Sequence, residues 1–417
     1  MLRKSFLSRL KRKVSRFFLY LTTYGVSKTF IFSLYKFFPS TFHLVTNVRP
    51  LPDFSFIEQL PMVEEASSNT IEKLKTLKKI TWFAPDWLNV WGGGHFTIFR
   101  FAHFFEKHGI TNEIYIYDNG RHLSGEFLAA ELKKALPGCN ISVLVKPEEL
   151  QQTDIAIATT WQSAYHVKRF NDARFKFYFM QDYESLFYPG GSQALQADYT
   201  YKFGFLGITG GLWLRSIFEK YGGTAEHYTF AIDHDIFYPN PSVRDKVKRV
   251  FFYGRPSTER RAFELGMTVL EAIKTKYPDV EIVFAGLDKV SVPKFGATMM
   301  GNLPLHKTGE LYRSCDVGIA LSATNLSYLP LELMGSGCPV ISNAGPYVEW
   351  FCKDGENCLI AEPTPSHFLQ RFSELYESKE LRQKIVNGGI ASTSGRTWES
   401  EMAKILGYIK KMVIQEN

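Results

Sequence analysis

The stretch SCDVGIALSATNLSYLPLELMGSGCPVISN, residues 314–343, decides the architecture. Asp316 to Leu321 reads as a short buried strand. A loop carrying Ser327, Tyr328 and Pro330 follows, then a small-residue helix around Glu332, then a second apolar strand from Pro339 to Ser342. A loop that ends a parallel strand and opens a helix aims several backbone N–H groups, and the positive end of the helix dipole, at one point. Such a point suits a phosphate. Glu332 is expected in the first turn of that helix, where its carboxylate can accept from a sugar hydroxyl. The bland alternative is a solvated helix carboxylate.

Strand–helix alternation extends outward in both directions. From Lys78 on, strands are expected at Ile80–Ala84, Glu113–Tyr117, Ile141–Val145, Asp154–Thr159, Phe175–Met180 and Phe205–Thr209, with helices such as Thr97–His108 and Glu126–Ala135 between them. The pattern restarts near Lys248 with strands at Arg249–Tyr253 and Val280–Ala285 and helices at Ala262–Thr275, Gly309–Ser314 and Leu331–Ser336. Strongly apolar strands alternating with helices imply parallel sheets covered on both faces. The fold class is therefore α/β, with two doubly wound, Rossmann-like halves, residues 78–236 and 237–396, facing each other across a cleft. Residues 237–241 read as the hinge, and Trp398 to Met412, within 397–417, as a final amphipathic helix.

The chain has 417 residues and is 45% hydrophobic, enough for two cores. Its charge is lopsided. The first 45 residues hold nine Lys or Arg and no acid, which leaves the remainder near −2 of the formal +7. With no stacking platform and no zinc spacing, nucleic acid is not an expected partner. Residues 1–77 read as a basic amphipathic extension and linker, with apolar positions at helical spacing among Arg3, Lys4, Lys11 and Arg12. Within residues 1–45 the longest charge-free run, Phe17 to Ser27, is too short to span a bilayer, and no clear cleavage site follows it. Such a segment suits an anionic membrane surface; a helix packed on its own protein is the alternative. Cys139, Cys315, Cys338, Cys352 and Cys358 lie mostly in apolar surroundings without metal-pair spacing, so all five are expected to be reduced, in a cytoplasmic, membrane-peripheral protein.

Other motifs fall at strand ends. Gly92-Gly93-Gly94-His95 follows the first strand and opens a helix; it allows close backbone approach but is not the G-x-G-x-x-G dinucleotide fingerprint. Gly254-Arg255, with Arg260 and Arg261 downstream, places guanidinium forks that suit phosphate oxygens. Gln181-Asp182 follows the strand ending at Met180. Asp233-His234-Asp235 is a D-x-D, and Gly301-Asn302-Leu303-Pro304 makes a turn after a short strand.

These residues resemble family-four glycosyltransferases of the GT-B fold. Glu332 with Gly337-Cys338-Pro339-Val340 matches the second half of the family's E-x7-E signature, whereas Thr324 stands where the first glutamate is usual. The resemblance implies that Glu332 holds the nucleoside ribose, that Arg255 and Arg260 grip the donor diphosphate, and that Gly93 and Gly94 lie against it. It further implies that Leu303 borders the base, and that Ser327, Tyr328 and Leu329 offer N–H groups. Asp233 to Asp235 falls in the family's interdomain loop, so no metal and no other cofactor is expected. In the family the last helix crosses back to the first domain. The segment QDYESLFYPGG, residues 181–191, resembles one in WsaF-like bacterial rhamnosyltransferases. It implies a retaining transfer of L-rhamnose from dTDP-L-rhamnose to a lipid-linked or oligosaccharide acceptor, a growing surface glycan of the S-layer or O-antigen type. Gln181, Asp182 and Thr324 would meet the sugar, with Asp182, Arg255 and Arg260 closest to the chemistry. The rivals are a GT-B transferase with another nucleotide sugar, a nicotinamide oxidoreductase lacking its fingerprint, and a non-catalytic peripheral scaffold.

Overall fold

Runs rich in Val, Ile and aromatic residues become parallel strands whose centres are buried on both faces. The computed structural model describes residue 57 and residues 72–415, apart from 88, 241–242 and 287–291. The first half contains β1 (Lys79–Pro85), β2 (Thr111–Asp118), β3 (Ser142–Leu144), β4 (Thr153–Ala158), β5 (Ala173–Met180), β6 (Leu206–Gly210) and β7 (Ala225–Tyr228). They form a seven-stranded sheet ordered β3-β2-β1-β4-β5-β6-β7, with every pairing parallel. Its helices are α1 (Gly93–Lys107), α2 (Gly125–Ala135), α3 (Trp161–Arg169), α4 (Ser192–Tyr199) and α5 (Leu212–Lys220).

The second half contains β8 (Arg249–Tyr253), β9 (Glu281–Ala285), β10 (Thr298–Met299), β11 (Val317–Ala320), β12 (Val340–Asn343) and β13 (Leu359–Ala361). Its sheet is ordered β10-β9-β8-β11-β12-β13, again wholly parallel. The helices are α6 (Phe263–Lys276), α7 (Leu305–Arg313), α8 (Tyr328–Gly335), α9 (Pro346–Glu349), α10 (Pro365–Glu377), α11 (Lys379–Thr393) and α12 (Trp398–Val413). Strand order reverses between β1 and β4 in one sheet and between β8 and β11 in the other. Crevices at the carboxyl ends of strands flanking such a reversal are where open α/β sheets hold ligands.

The two halves share an apolar body. Trp82, Phe99, Phe101 and Phe105 beneath the first sheet belong to the same buried cluster as Phe237, Tyr312, Leu331 and Met334 of the second half. A separate core, including Phe252, Leu270, Ile273 and Phe372, fills the other face of the second sheet. The segment joining the halves is anchored: Phe237 stacks on Tyr312 with centroids 5.9 Å apart, and the Arg313 guanidinium lies 3.7 Å above the Tyr238 ring.

α12 packs against the first half. Glu401 accepts a 2.9 Å bond from the Thr229 backbone N–H, and Tyr408 donates to the Thr224 carbonyl at 3.2 Å. The last residues assigned to the N-terminal linker are part of this body: the Leu74 N–H donates to Val413 O at 2.7 Å, and Leu74 pairs with Ile414. The basic stretch expected to meet a membrane, residues 1–45, lies outside the described residues. Among the described residues no helix is long and apolar enough to cross a membrane. All five cysteines are free and buried.

Candidate active site

The loop after β1 and the loop after β11 face each other. None of Gly92, Gly93 and Gly94 takes a positive φ. The loop nonetheless packs against the second half and against the loop after β5, at ordinary contact distances. A Cβ on Gly93 would lie 3.6 Å from the Tyr328 ring, and one on Gly94 would lie 3.6 Å from the Gln181 amide nitrogen. Gln181 Nε2 donates to Gly94 O at 2.9 Å.

α8 begins at Ser327, which adopts an extended conformation and makes no side-chain cap. The first-turn N–H groups of Tyr328 and Leu329 are therefore not answered by that side chain, the usual opening for an anion. Glu332 is the fifth residue of α8, one turn deeper than expected. It is partly exposed; its one short contact is the Tyr312 hydroxyl, donating to Oε2 at 3.4 Å. Burial pushes its carboxyl up to about 7, Asp233 adds to that, and Tyr312 and Arg100 oppose it.

The β5 and β8 loops meet through charge. Asp182 is 8% exposed, and its Oδ2 lies 3.3 Å from Arg260 Nε. Arg260 also covers the Phe187 ring at 4.4 Å. Burial raises the Asp182 carboxyl, against the lowering pull of Arg261 and then Arg260. Arg261 is tucked inward, donating to Ser322 Oγ at 2.6 Å, and burial lowers its guanidinium to about 10. Arg255 is exposed at the end of β8. Of the three arginines, Arg255 is thus the most open to solvent, while Arg260 and Arg261 are engaged by protein groups.

Thr324 and Asn325 lie beneath this pair. Asn325 Nδ2 donates to Gln181 O at 3.0 Å and to Gly210 O at 2.9 Å, fastening the β11 loop to the first half. Thr324 Oγ1 and Asn325 Oδ1 are buried without a well-formed hydrogen bond, and Arg260 Nε shares that condition. Leu303 is partly buried on the turn after β10, where Gly301 takes φ 64°. The D-x-D is divided: Asp233 is bound in a bidentate pair by Arg100, at 2.9 and 2.6 Å, while Asp235 is exposed. Among the described residues, His103, Glu106 and Cys139 have ligand atoms within 4.8 Å of one another, but they sit at the opposite end of α1 from Gly93. There Glu106 is already engaged by His103 at 3.0 Å and by the Asn140 N–H at 3.0 Å.

Four residues of this region were not singled out from the sequence. Thr97 and Arg100 follow Gly93 on one face of α1, at helical spacing that a reading of faces would have found. Thr97 Oγ1 and the Tyr328 hydroxyl are 2.5 Å apart. Glu184 is half-buried, capping the N-terminus of α3 through the Trp161 N–H, and burial raises it to about 8. Trp398 of α12 reaches the Tyr328 ring at 5.7 Å; no local pattern signals it.

Residues 248–373 match the family model described as WsaF, C-terminal domain. An O-antigen biosynthesis protein, RfbC of Myxococcus xanthus, is 36% identical over 366 residues, 84% of this chain and 28% of that protein. The chain therefore spans little more than a quarter of that relative. Among solved structures, HepE of Anabaena in complex with UDP superposes with a TM-score of 0.64 at 13% identity, covering 80% of this chain and 100% of that one. Sucrose-phosphate synthase from Thermosynechococcus elongatus gives 0.63 at 11% identity, covering 80% and 99%. The fold is GT-B, and residues 248–373 are similar to the C-terminal domain of WsaF.

Proposed function

We propose that this chain is a retaining glycosyltransferase that moves L-rhamnose from dTDP-L-rhamnose to a growing bacterial surface glycan, of S-layer or O-antigen type, without a required metal. The observation that carries the transferase reading is a pair of buried polar atoms without a well-formed hydrogen bond at the meeting of the two halves, Thr324 Oγ1 and Asn325 Oδ1, beside the ion-paired Arg260. Each such atom costs about 1–3 kcal/mol unless something bonds it. Both lie on the loop after β11, at the reversal of strand order, beside the opening of α8. A hydroxylated ligand with a diphosphate would answer them together. The WsaF-type match and the surface-glycan role named for RfbC support the same class.

In this reading the diphosphate rests on the first turn of α8 and on Arg255, with Glu332 toward the ribose and Leu303 toward the base. Gln181, Asp182 and Thr324 face the sugar; apolar Thr324 Cγ and the absence of a glutamate there favour a 6-deoxy sugar with one hydroxyl fewer to satisfy. The C1–O bond to the diphosphate breaks and a bond from C1 to the acceptor oxygen forms on the same face. The acceptor's proton passes to the departing phosphate oxygen. Holding both reactants together and neutralising the leaving charge supply the acceleration. The lipid-linked or oligosaccharide acceptor would enter past Gly93 and Gly94, and residues 1–45 would hold the protein to the inner face of the membrane.

A UDP-sugar donor is the second reading, favoured by the UDP and UDP-glucose complexes of HepE. A thermal-shift panel of dTDP, UDP, GDP and their sugars separates the two. A ligand that binds the folded state raises its stability, by about 2.7 kcal/mol at a hundred times its Kd. Selective stabilisation by dTDP and dTDP-L-rhamnose is expected; selective stabilisation by UDP-glucose would replace the donor.

A further inference from the structure

We propose that Tyr328 and Thr97 are positioning residues, a hydrogen-bond relay through which the placement of α8 in the second half sets the glycine loop of the first. The inference rests on the reading of the first turn of α8 as the diphosphate cradle given above.

The relay starts at Tyr328, the first residue of α8. Its backbone belongs to the turn assigned to the anion, while its side chain reaches into the first half. There its hydroxyl lies 2.5 Å from Thr97 Oγ1, and Thr97 Oγ1 donates to Gly93 O at 2.8 Å. A hydroxyl carries one proton. Thr97 places its own on Gly93 O, so toward Tyr328 it is the acceptor and the Tyr328 O–H is the donor. The direction runs from Tyr328 to Thr97 to Gly93 O. Thr97 is 2% exposed, which keeps water from competing for either bond.

The Tyr328 ring is hemmed in on three sides. The Phe230 centroid lies 4.7 Å away and that of Trp398 5.7 Å. Gly93 closes the third side, where a Cβ would stand 3.6 Å from the ring. A close-packed ring passes a shift on to its neighbours rather than absorbing it.

A second tie runs beside the first. Asn325, three residues before Tyr328, donates from Nδ2 to Gln181 O at 3.0 Å and to Gly210 O at 2.9 Å. Gln181 Nε2 in turn donates to Gly94 O at 2.9 Å. Two successive carbonyls of the glycine loop, Gly93 O and Gly94 O, are thus each bonded by a residue that the segment 325–328 holds. Glycine is the residue that its own backbone restrains least, so bonds from outside the loop weigh heavily on where it sits.

The consequence is a path from the donor to the acceptor side. An anion seated on the first turn of α8 fixes Tyr328, and Tyr328 fixes Gly93. The loop past which the acceptor enters is thereby ordered by the nucleotide without direct contact between them.

The test is amide hydrogen exchange over residues 92–97 of the full chain, with and without saturating dTDP or UDP. It compares the wild type with Thr97→Val, Thr97→Ser, Tyr328→Phe and the double variant Thr97→Val/Tyr328→Phe. In the wild type, nucleotide should slow exchange of the loop about three- to tenfold, the worth of one neutral hydrogen bond. Thr97→Val, which keeps the shape and loses the hydroxyl, should lose that slowing while its calorimetric affinity for dTDP stays near wild type. Thr97→Ser, which keeps the hydroxyl, should retain it. Tyr328→Phe should lose it, and the double variant should be no worse than either single one, because the two hydroxyls form one path. A pair that merely stabilises the fold would speed exchange equally with and without nucleotide, and an unchanged ratio of the two rates overturns the inference. Slowing that survives in Thr97→Val also overturns it, since the nucleotide would then reach the loop by another route. Should Thr97→Val fail to fold, Tyr328→Phe, which keeps the packed ring, decides the matter. If neither nucleotide binds the wild type, the cradle reading and this inference fail together; if nucleotide binds and the loop's exchange is indifferent to it, only the present inference fails.

Discussion

Asp182 of the first half and Arg260 of the second meet across the cleft, with Oδ2 and Nε 3.3 Å apart and the guanidinium resting on Phe187. The contact ties the loop after β5 to the loop after β8, where a donor sugar would enter. Asp182 is largely shielded while a third of the Arg260 side chain meets solvent, 34% against 11%, and Thr324 Oγ1 lies beside them without a well-formed hydrogen bond. A sugar hydroxyl arriving there would meet an anchored acceptor and an anchored cation.

Asp182→Asn should therefore lower transfer from the nucleotide sugar about 10- to 100-fold, the loss of one charged hydrogen bond of roughly 1.5–3 kcal/mol. Affinity for the nucleoside diphosphate lacking the sugar should hardly change. Steady-state turnover beside calorimetry of dTDP makes the comparison. An equal loss in both would assign Asp182 to the nucleotide or to the fold.

Arg255 should behave in the opposite way. It is exposed at the end of β8, so Arg255→Ala should leave thermal stability within about 0.5 kcal/mol of wild type. Binding of dTDP should weaken about tenfold or more, because the diphosphate loses a cation. Unchanged dTDP affinity would remove Arg255 from the phosphate site.

Glu184 gives a stability prediction. Its native carboxyl is raised by burial to about 8, above the ordinary 4.5. The native state therefore holds a proton that the unfolded state releases, and stability is fully present below about pH 4.5 and is lost as pH rises toward 8. The slope for one such group is at most about 1.4 kcal/mol per pH unit. Chemical denaturation of wild type and Glu184→Gln between pH 5 and 8 should show a shallower decline in the variant. Parallel curves would mean that Glu184 ionises as it does in the unfolded chain.

The basic extension yields a third kind of test. Each Lys or Arg near an anionic bilayer contributes about 1 kcal/mol, screened by salt. Charge reversal at Lys11, Arg12 and Lys13 should reduce sedimentation with anionic liposomes at low salt and leave nucleotide binding intact. Equal sedimentation would place any membrane contact elsewhere.

Much of this was legible in the chain. The apolar strands β1, β2, β4, β5, β8 and β9, and the stretch from β11 to β12, follow from hydrophobic runs bounded by turns, within a residue or two of their observed ends. Short edge strands were not: β7, with the sequence AEHY, and β13, with LIA, owe their state to a neighbour rather than to their own composition. α10 and α11 were not singled out. The site was legible as positions after strands, since strand ends and helix starts carry local signals. Pairings between halves were hidden: nothing near Arg100 names Asp233, and nothing near Arg260 names Asp182. Arg260 illustrates the limit. Its spacing from Gly254 suggested a phosphate ligand, but its neighbour in space is a carboxylate 78 residues away in sequence.

The central claim is transfer from dTDP-L-rhamnose, and the most direct measurement gives the full-length chain a choice. dTDP-L-rhamnose and UDP-glucose at equal concentration are followed together by proton NMR, through their anomeric signals, with and without a rhamnose-terminated oligosaccharide. The account predicts that the dTDP-L-rhamnose signal is consumed, that dTDP accumulates, and that the new glycosidic proton has the donor's anomeric configuration. Consumption of UDP-glucose with dTDP-L-rhamnose left untouched would contradict it.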